Sequence, residues 1–352
     1  MARTSPAMTA LQPVVPAQAC PMATADTPSV VDRTRVVATE APVVGVYFLG
    51  STAVFVLGDE ALLFAAREPQ RITVHSGGIL AAVCDGERIV TGGDDGKVVA
   101  TKADMTLVAI GADPKHRWID HVAIAPDGTV AWSAGRDAFV QFRKGEPRKL
   151  EAPSTVGGLA FAPKGLRLAI AHYHGVTLWF PNAEAPPERL EWKGSHLDVT
   201  FSPDGRYLVT AMQEPTLHGW RLVEGRHMRM AGYSAKVRSM AWTADGKALA
   251  TSGAPQLVVW PFASKDGPMG KEPQMLAPNE HPVCVVACHP QKEVTAVGYE
   301  DGLVLLVRMT DGAEVLARRS DGVPVSALAW NARGTALAFG TENGQGGVVD
   351  LT

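Results

Sequence analysis

The sequence predicts an all-β protein assembled from repeated supersecondary units, on three observations. Four stretches share one pattern: Val122-Ala123-Ile124-Ala125-Pro126-Asp127-Gly128, Leu159-Ala160-Phe161-Ala162-Pro163-Lys164-Gly165, Val199-Thr200-Phe201-Ser202-Pro203-Asp204-Gly205 and Met240-Ala241-Trp242-Thr243-Ala244-Asp245-Gly246. Each reads as an apolar strand entering a tight turn, and the turns recur at roughly forty residues, the period of an array. A large aromatic residue, Phe142, Trp179, Trp220 or Trp260, follows each turn glycine by about fourteen residues. No stretch sustains the 3.6-residue apolar period of a helix.

Taken in order, the chain begins with different material. Residues 1–30 are rich in Ala, Pro and Thr, hold five prolines and no aromatic residue, and are almost uncharged. Such a composition buries too little to offset the entropy of ordering, so a disordered extension is predicted. A secretory signal is not expected, because Pro13 and Pro16 interrupt the apolar run of 11–19. Arg35-Val36-Val37-Ala38 then reads as a lone strand.

Eight inner strands follow. Val43-Val44-Gly45-Val46-Tyr47-Phe48 and Ile79-Leu80-Ala81-Ala82-Val83 precede the four clear repeats; Val283-Cys284-Val285-Val286-Ala287-Cys288 and Val325-Ser326-Ala327-Leu328-Ala329-Trp330 come after them. Each leads into two further strands, such as Tyr207-Leu208-Val209-Thr210-Ala211, and all units but the last have room for a fourth. The last runs out of chain at its third strand, Val348-Val349-Asp350-Leu351-Thr352. An unpaired sheet edge invites aggregation, so the lone strand 35–38 is predicted to complete this unit by pairing with 347–351.

The Ser/Ala-Pro-Asp-Gly turn, the Gly92-Gly93-Asp94-Asp95-Gly96 turn and the strand-ending Trp resemble the WD40 repeat family over residues 31–352. The resemblance implies a WD40-like β-propeller. Eight four-stranded blades are expected; seven, the family norm, is the alternative. The family's Trp-Asp dipeptide is missing, since Trp179 precedes Phe180, Trp220 precedes Arg221 and Trp260 precedes Pro261. The Gly-His dipeptide is missing too, so the family's Asp-His-Ser-Trp hydrogen-bond network is not expected in its usual form. In this family, partners dock on the face carrying the inner-strand starts and the turns between second and third strands.

Composition narrows the function. At 352 residues and 46% hydrophobic, the chain can bury a large core. A net charge of −3 lacks the basic excess of a nucleic-acid binder, and Arg226-His227-Met228-Arg229 reads as a solvated strand edge. No segment is long and apolar enough to span a bilayer, so no membrane association is expected. Cys20, Cys84, Cys284 and Cys288 form no disulfide framework. Cys284 and Cys288 fall on one strand about 13 Å apart, beyond bridging reach. A reducing, cytoplasmic setting is expected.

No nucleophile elbow, phosphate loop or zinc-protease helix is present, and the glycine-rich 340–347 run joins two strands as a hairpin loop. His172 with His174, and His281, Cys284, Cys288 and His289, offer zinc-ligand types. Free cysteine is also a common small core residue, and no metal or cofactor is expected. The polar inner-strand residues Asp120, His121, Asp198, Arg238 and Ser239 repeat no carboxylate from unit to unit, so no catalysis is expected. A channel enzyme or metal site is the alternative. Trp179, Trp220 and Trp260 are predicted to pack between units. What varies is the rim: Trp118, Asp120, Lys236 and Arg238 at inner-strand starts, and Arg136, Tyr173, Glu214, Glu300 and Glu342 at the turns. These nine are the predicted protein-binding residues of a monomeric scaffold, with Trp118 and Tyr173 as aromatic anchors.

Overall fold

Short apolar runs separated by Asp-Gly turns become antiparallel strands throughout. The carboxylates of Asp127, Asp204 and Asp245 each accept the backbone N–H two residues on, from Thr129, Arg206 and Lys247. The side chain thus closes the turn, and the glycine between takes the positive φ that other residues avoid, +75° at Gly205. The computed structural model describes residues 27–352, and the disorder predicted for the first residues lies outside the described part. Backbone bonds from Val30 to Leu316 and from Leu316 to Pro28 start the paired structure slightly before residue 31. A single 3-10 turn, Val31–Arg33, follows.

The eight sequence units fold into seven hydrogen-bonded sheets, six of four strands and one of six. The expectation of eight four-stranded blades is therefore corrected to seven, the alternative, with one blade of six strands. The reason lies in two long strands, Leu168–Trp179 and Glu188–Phe201. The first half of Leu168–Trp179 pairs with Gly158–Phe161 and its second half with Glu188–Glu191. The chain then stays extended through residues 192–195, where other units have a loop, and Ser195 pairs with Tyr173. From His196 it pairs with Tyr207–Met212, the second strand of the next unit. Units four and five thus share one continuous sheet.

Ring closure follows the predicted route. Thr34–Ala38 pairs with the last strand, Gln345–Asp350, in the register Arg35 to Val348 and Val37 to Gly346. Apolar residues gather between consecutive units, in eight clusters among the described residues. Trp179, Trp220 and Trp260 are all buried in them, as their periodic placement requires. Phe142 is half-buried beside the Trp179 cluster.

A polar column runs through these cores. Thr91, Thr210 and Thr251 are fully buried at equivalent second-strand positions and donate to the carbonyls of Val99, His218 and Val258. Each hydroxyl also meets a ring from the preceding crossing: His75 at 2.8 Å, His196 at 2.8 Å and Tyr233 at 2.8 Å. In unit two, His75 goes on to Asp95; in unit six, Trp260 Nε1 donates to Tyr233 Oη at 2.6 Å. The family network therefore survives in altered form, with Thr for Ser and Tyr for His. Tyr233→Phe should leave the buried Trp260 N–H without an acceptor and cost about 1–3 kcal/mol. Urea denaturation checks this; an unchanged midpoint would show that the bond contributes nothing.

Candidate partner-binding rim

Loops and turns at the inner-strand starts form one face of the ring, here the top face. Trp118 lies in the crossing into unit three. Arg117 beside it forks onto Asp113, at 2.6 and 3.1 Å, and reaches Asp137 at 2.9 Å. The Arg117 bonds hold the Asp113 carboxyl at about 2, against the upward push of burial. This clamp fixes the loop while Ile119 inserts into the core, and it leaves Trp118 63% exposed. Tyr173 is 53% exposed at the turn of unit four. Its N–H donates to Ser154 Oγ at 2.9 Å. The turn continues through His174 at φ +71° and Gly175 at φ +142°. A side chain on Gly175 would meet the Leu190 carbonyl at 2.1 Å, so this hairpin demands glycine there.

The other seven predicted residues reach the same face but do not form one cluster. Arg238, Glu300 and Glu342 lie near enough to Cys284 to act on its charge. Burial, aided by Glu300 and more weakly by Glu342 and Asp301, pushes the Cys284 thiol up to about 11, with Arg238 opposing. Lys236 is exposed on the crossing into unit six, and Asp120 is half-buried at the start of unit three. Arg136 pairs with Glu151 in the open. The Glu214 carboxylate lies against Gly194. Protein crowded around Asp198, on the inner strand of unit five, raises its carboxyl to about 6, and the Val199 N–H only partly offsets this.

The candidate zinc ligands serve separate structural roles. His289 Nε2 donates to Gly334 O at 3.1 Å, while its Nδ1 accepts from the N–H groups of Gln291 and Lys292. Cys288 donates to Ala241 O. His172 bonds Tyr173 O and Thr177 Oγ1. Among the described residues, no group of three His, Cys, Asp or Glu side chains is placed to hold a metal ion. No helix among them is long and apolar enough to cross a membrane.

The feature that sequence reasoning missed is a groove of about 670 Å³ on the top face at the junction of units four and five. Tyr173, His174, Val176, Leu190 and Trp192 line it, with Arg189, Glu191 and Lys193 along its edge. It lies where the ladder between the two long strands opens: Gly175 faces Glu191 and Tyr173 faces Ser195, leaving Trp192, Lys193 and Gly194 unpaired across from His174. The crossing Trp192-Lys193-Gly194-Ser195 gives no sequence signal of this, since it holds the Gly and Ser of an ordinary turn.

Comparison with known proteins agrees with this architecture. Residues 286–352 match the family model described as the anaphase-promoting complex subunit 4 WD40 domain. Over 195 residues, 52% of this chain, the sequence is 29% identical to WD repeat-containing protein 1-B of Xenopus laevis; the match spans only 30% of that protein's length. Among solved structures, the computationally designed Ika8 protein superposes with a TM-score of 0.70 at 16% identity, covering 88% of this chain and 96% of that one. At that identity the likeness is one of fold. With its repeats, its closed ring of sheets and these likenesses, the chain is a β-propeller that resembles the WD40 repeat proteins.

Proposed function

We propose that this chain is a non-catalytic scaffold that binds a protein or peptide partner on its top rim. The observation that carries the reading is a contrast between positions. Residues repeated from unit to unit, such as Trp220 and Trp260, are buried. Those that vary, such as Trp118, Tyr173, Glu214, Lys236, Arg238, Glu300 and Glu342, are exposed. Variation at exposed positions set against repetition at buried ones is what partner recognition requires, because packing is already satisfied by the repeat. Two large exposed aromatics at fixed loop positions supply the residue types that dominate interface energetics. One matching family is described as a subunit of the anaphase-promoting complex, a multiprotein setting in keeping with a scaffold. The reading extends to a cytoplasmic protein, with free Cys84, Cys284 and Cys288 in keeping with a reducing compartment.

Affinity purification of the tagged chain should recover a partner at fixed stoichiometry. Trp118→Ala combined with Tyr173→Ala should abolish that capture while leaving the melting temperature within about 2 °C, the usual range for surface substitutions. Capture that survives the double variant would remove the rim from the reading. A strongly destabilised double variant would mean that the two aromatics are packed rather than presented.

A further inference from the structure

The groove between units four and five has a chemistry of its own. Trp192 is held against the ring of His218, at 4.0 Å and 12° between planes. His218 is itself fully buried, so this aromatic wall is fixed before anything binds. Across the groove, the rings of Tyr173 and His174 lie 4.0 Å apart. Val176 and Leu190 are buried behind them and give an apolar floor. The edge is charged: Arg189, Glu191 and Lys193 alternate along an extended run. No ion pair engages any of the three among the described residues.

We propose that this groove takes an extended peptide of the partner, with an acidic residue set beside a proline or aromatic residue. The proposal rests on the rim reading above and names the partner's chemistry. Shape argues for a peptide. The edge from Arg189 to Lys193 measures about 13 Å at strand rise, the reach of four extended residues. Lys193 and Gly194 also lie outside the ladder register, whereas the Trp192 carbonyl is taken by His196 Nε2 at 3.2 Å. Charge argues for acid. Two cations flank one carboxylate, so an incoming carboxylate gains from Arg189 or Lys193, whereas a lysine in its place meets two like charges. The aromatic walls argue for proline or an aromatic residue, whose flat apolar faces stack on Tyr173 and Trp192 at little entropic cost.

Fluorescence anisotropy with the full chain tests this. The probes are a short labelled peptide of Pro, Asp and Tyr, its counterpart with Lys in place of Asp, and a single-stranded oligonucleotide. The acidic peptide should bind saturably and lose affinity as salt rises. Arg189→Glu with Lys193→Glu should weaken it at least about tenfold and shift preference to the Lys peptide. Lys144→Ala, an exposed cation on an outer loop away from rim and groove, should leave it unchanged. Equal binding of the two peptides, tighter binding of the oligonucleotide, or no effect of the charge reversal would overturn the proposal. If partner capture is lost in Trp118→Ala but unaffected by Arg189→Glu with Lys193→Glu, the rim reading stands and the groove is not where the peptide binds. Failure of capture to respond to either set would sink both.

Discussion

Removing residues 1–39 should cost the protein about 5 kcal/mol of stability, whereas removing residues 1–27 should leave it unchanged. The twelve residues between the two cuts make every closing contact. Thr34–Ala38 contributes a five-residue ladder against the last strand. Val37 is buried at 3% exposure in the core shared with unit one. Arg35 donates to the Ala65 carbonyl at 2.7 Å, tying the last sheet to the first unit, and Arg33 reaches Thr352 O at 3.1 Å. The Thr39 N–H donates to Gly344 O at 3.2 Å. Ahead of the strand, Pro28 and Val30 clasp Leu316 in the neighbouring sheet. Without these residues the Gln345–Asp350 edge lies open, and open edges pair with other molecules. Thermal melts should show a fall of roughly 8 °C for the longer truncation, with aggregation on heating. A synthetic peptide of residues 28–40 should restore part of the loss in trans. Equal melting temperatures for the two truncations would show that closure is incidental to stability.

How much of this was legible in the sequence depends on the length scale of the signal. The strand triplets, the closing strand and the burial of Trp179, Trp220 and Trp260 came from periodic apolar residues and turn glycines, which act locally and repeat. The sheet count did not come from them. It turned on whether residues 192–195 loop or stay extended, which is decided by the pairing of Ser195 with Tyr173 across a hairpin. Nothing in a repeat pattern encodes that contact. The Thr91, Thr210 and Thr251 column was half-visible: a Thr recurs after the apolar pair of the second strand, but its partners are His75, His196 and Tyr233, which share no motif. Eight of the nine rim residues are exposed and Asp120 is half-buried, since position in the repeat sets exposure. Their grouping was not legible, because Arg238, Glu300 and Glu342 come from three different units and act on Cys284 only once the ring has closed. The groove was invisible for the same reason that the fused sheet was.

That fused seam also carries the second large effect, a loss of stability in mild acid. His172, His196 and His218 lie within it, each under 5% exposed. Burial holds all three below the usual imidazole value, and His218 is pushed down to about 2, with His227 and His196 adding to the effect. An imidazole depressed in the folded state favours the folded protein only while the unfolded one is also neutral. Below an unfolded value of about 6.5, the unfolded chain takes up protons that the folded chain refuses. For His218 this removes about 1.4 kcal/mol per pH unit, and His172 and His196 act in the same direction. Asp198 works in the opposite direction, because its raised carboxyl, at about 6, gains a proton in the folded state first. Three histidines outnumber the one carboxylate, so stability falls as pH drops from about 6.5 toward 5. His218 is the residue that separates this account from general acid denaturation. Both of its ring nitrogens are buried without a hydrogen-bond partner, between Trp192 at 4.0 Å and His227 at 5.4 Å. A phenyl ring keeps the stacking and removes the unmet polar atoms, so His218→Phe should raise stability at pH 7 by about 1–3 kcal/mol. It should also take one proton, about 1.4 kcal/mol per pH unit, out of the acid slope. Urea titrations of both proteins at pH 7, 6 and 5 check the pair of outcomes. A destabilised variant at pH 7, or a slope identical to the parent's, would mean that His218 meets a polar partner in solution and that the seam is not what fails in acid.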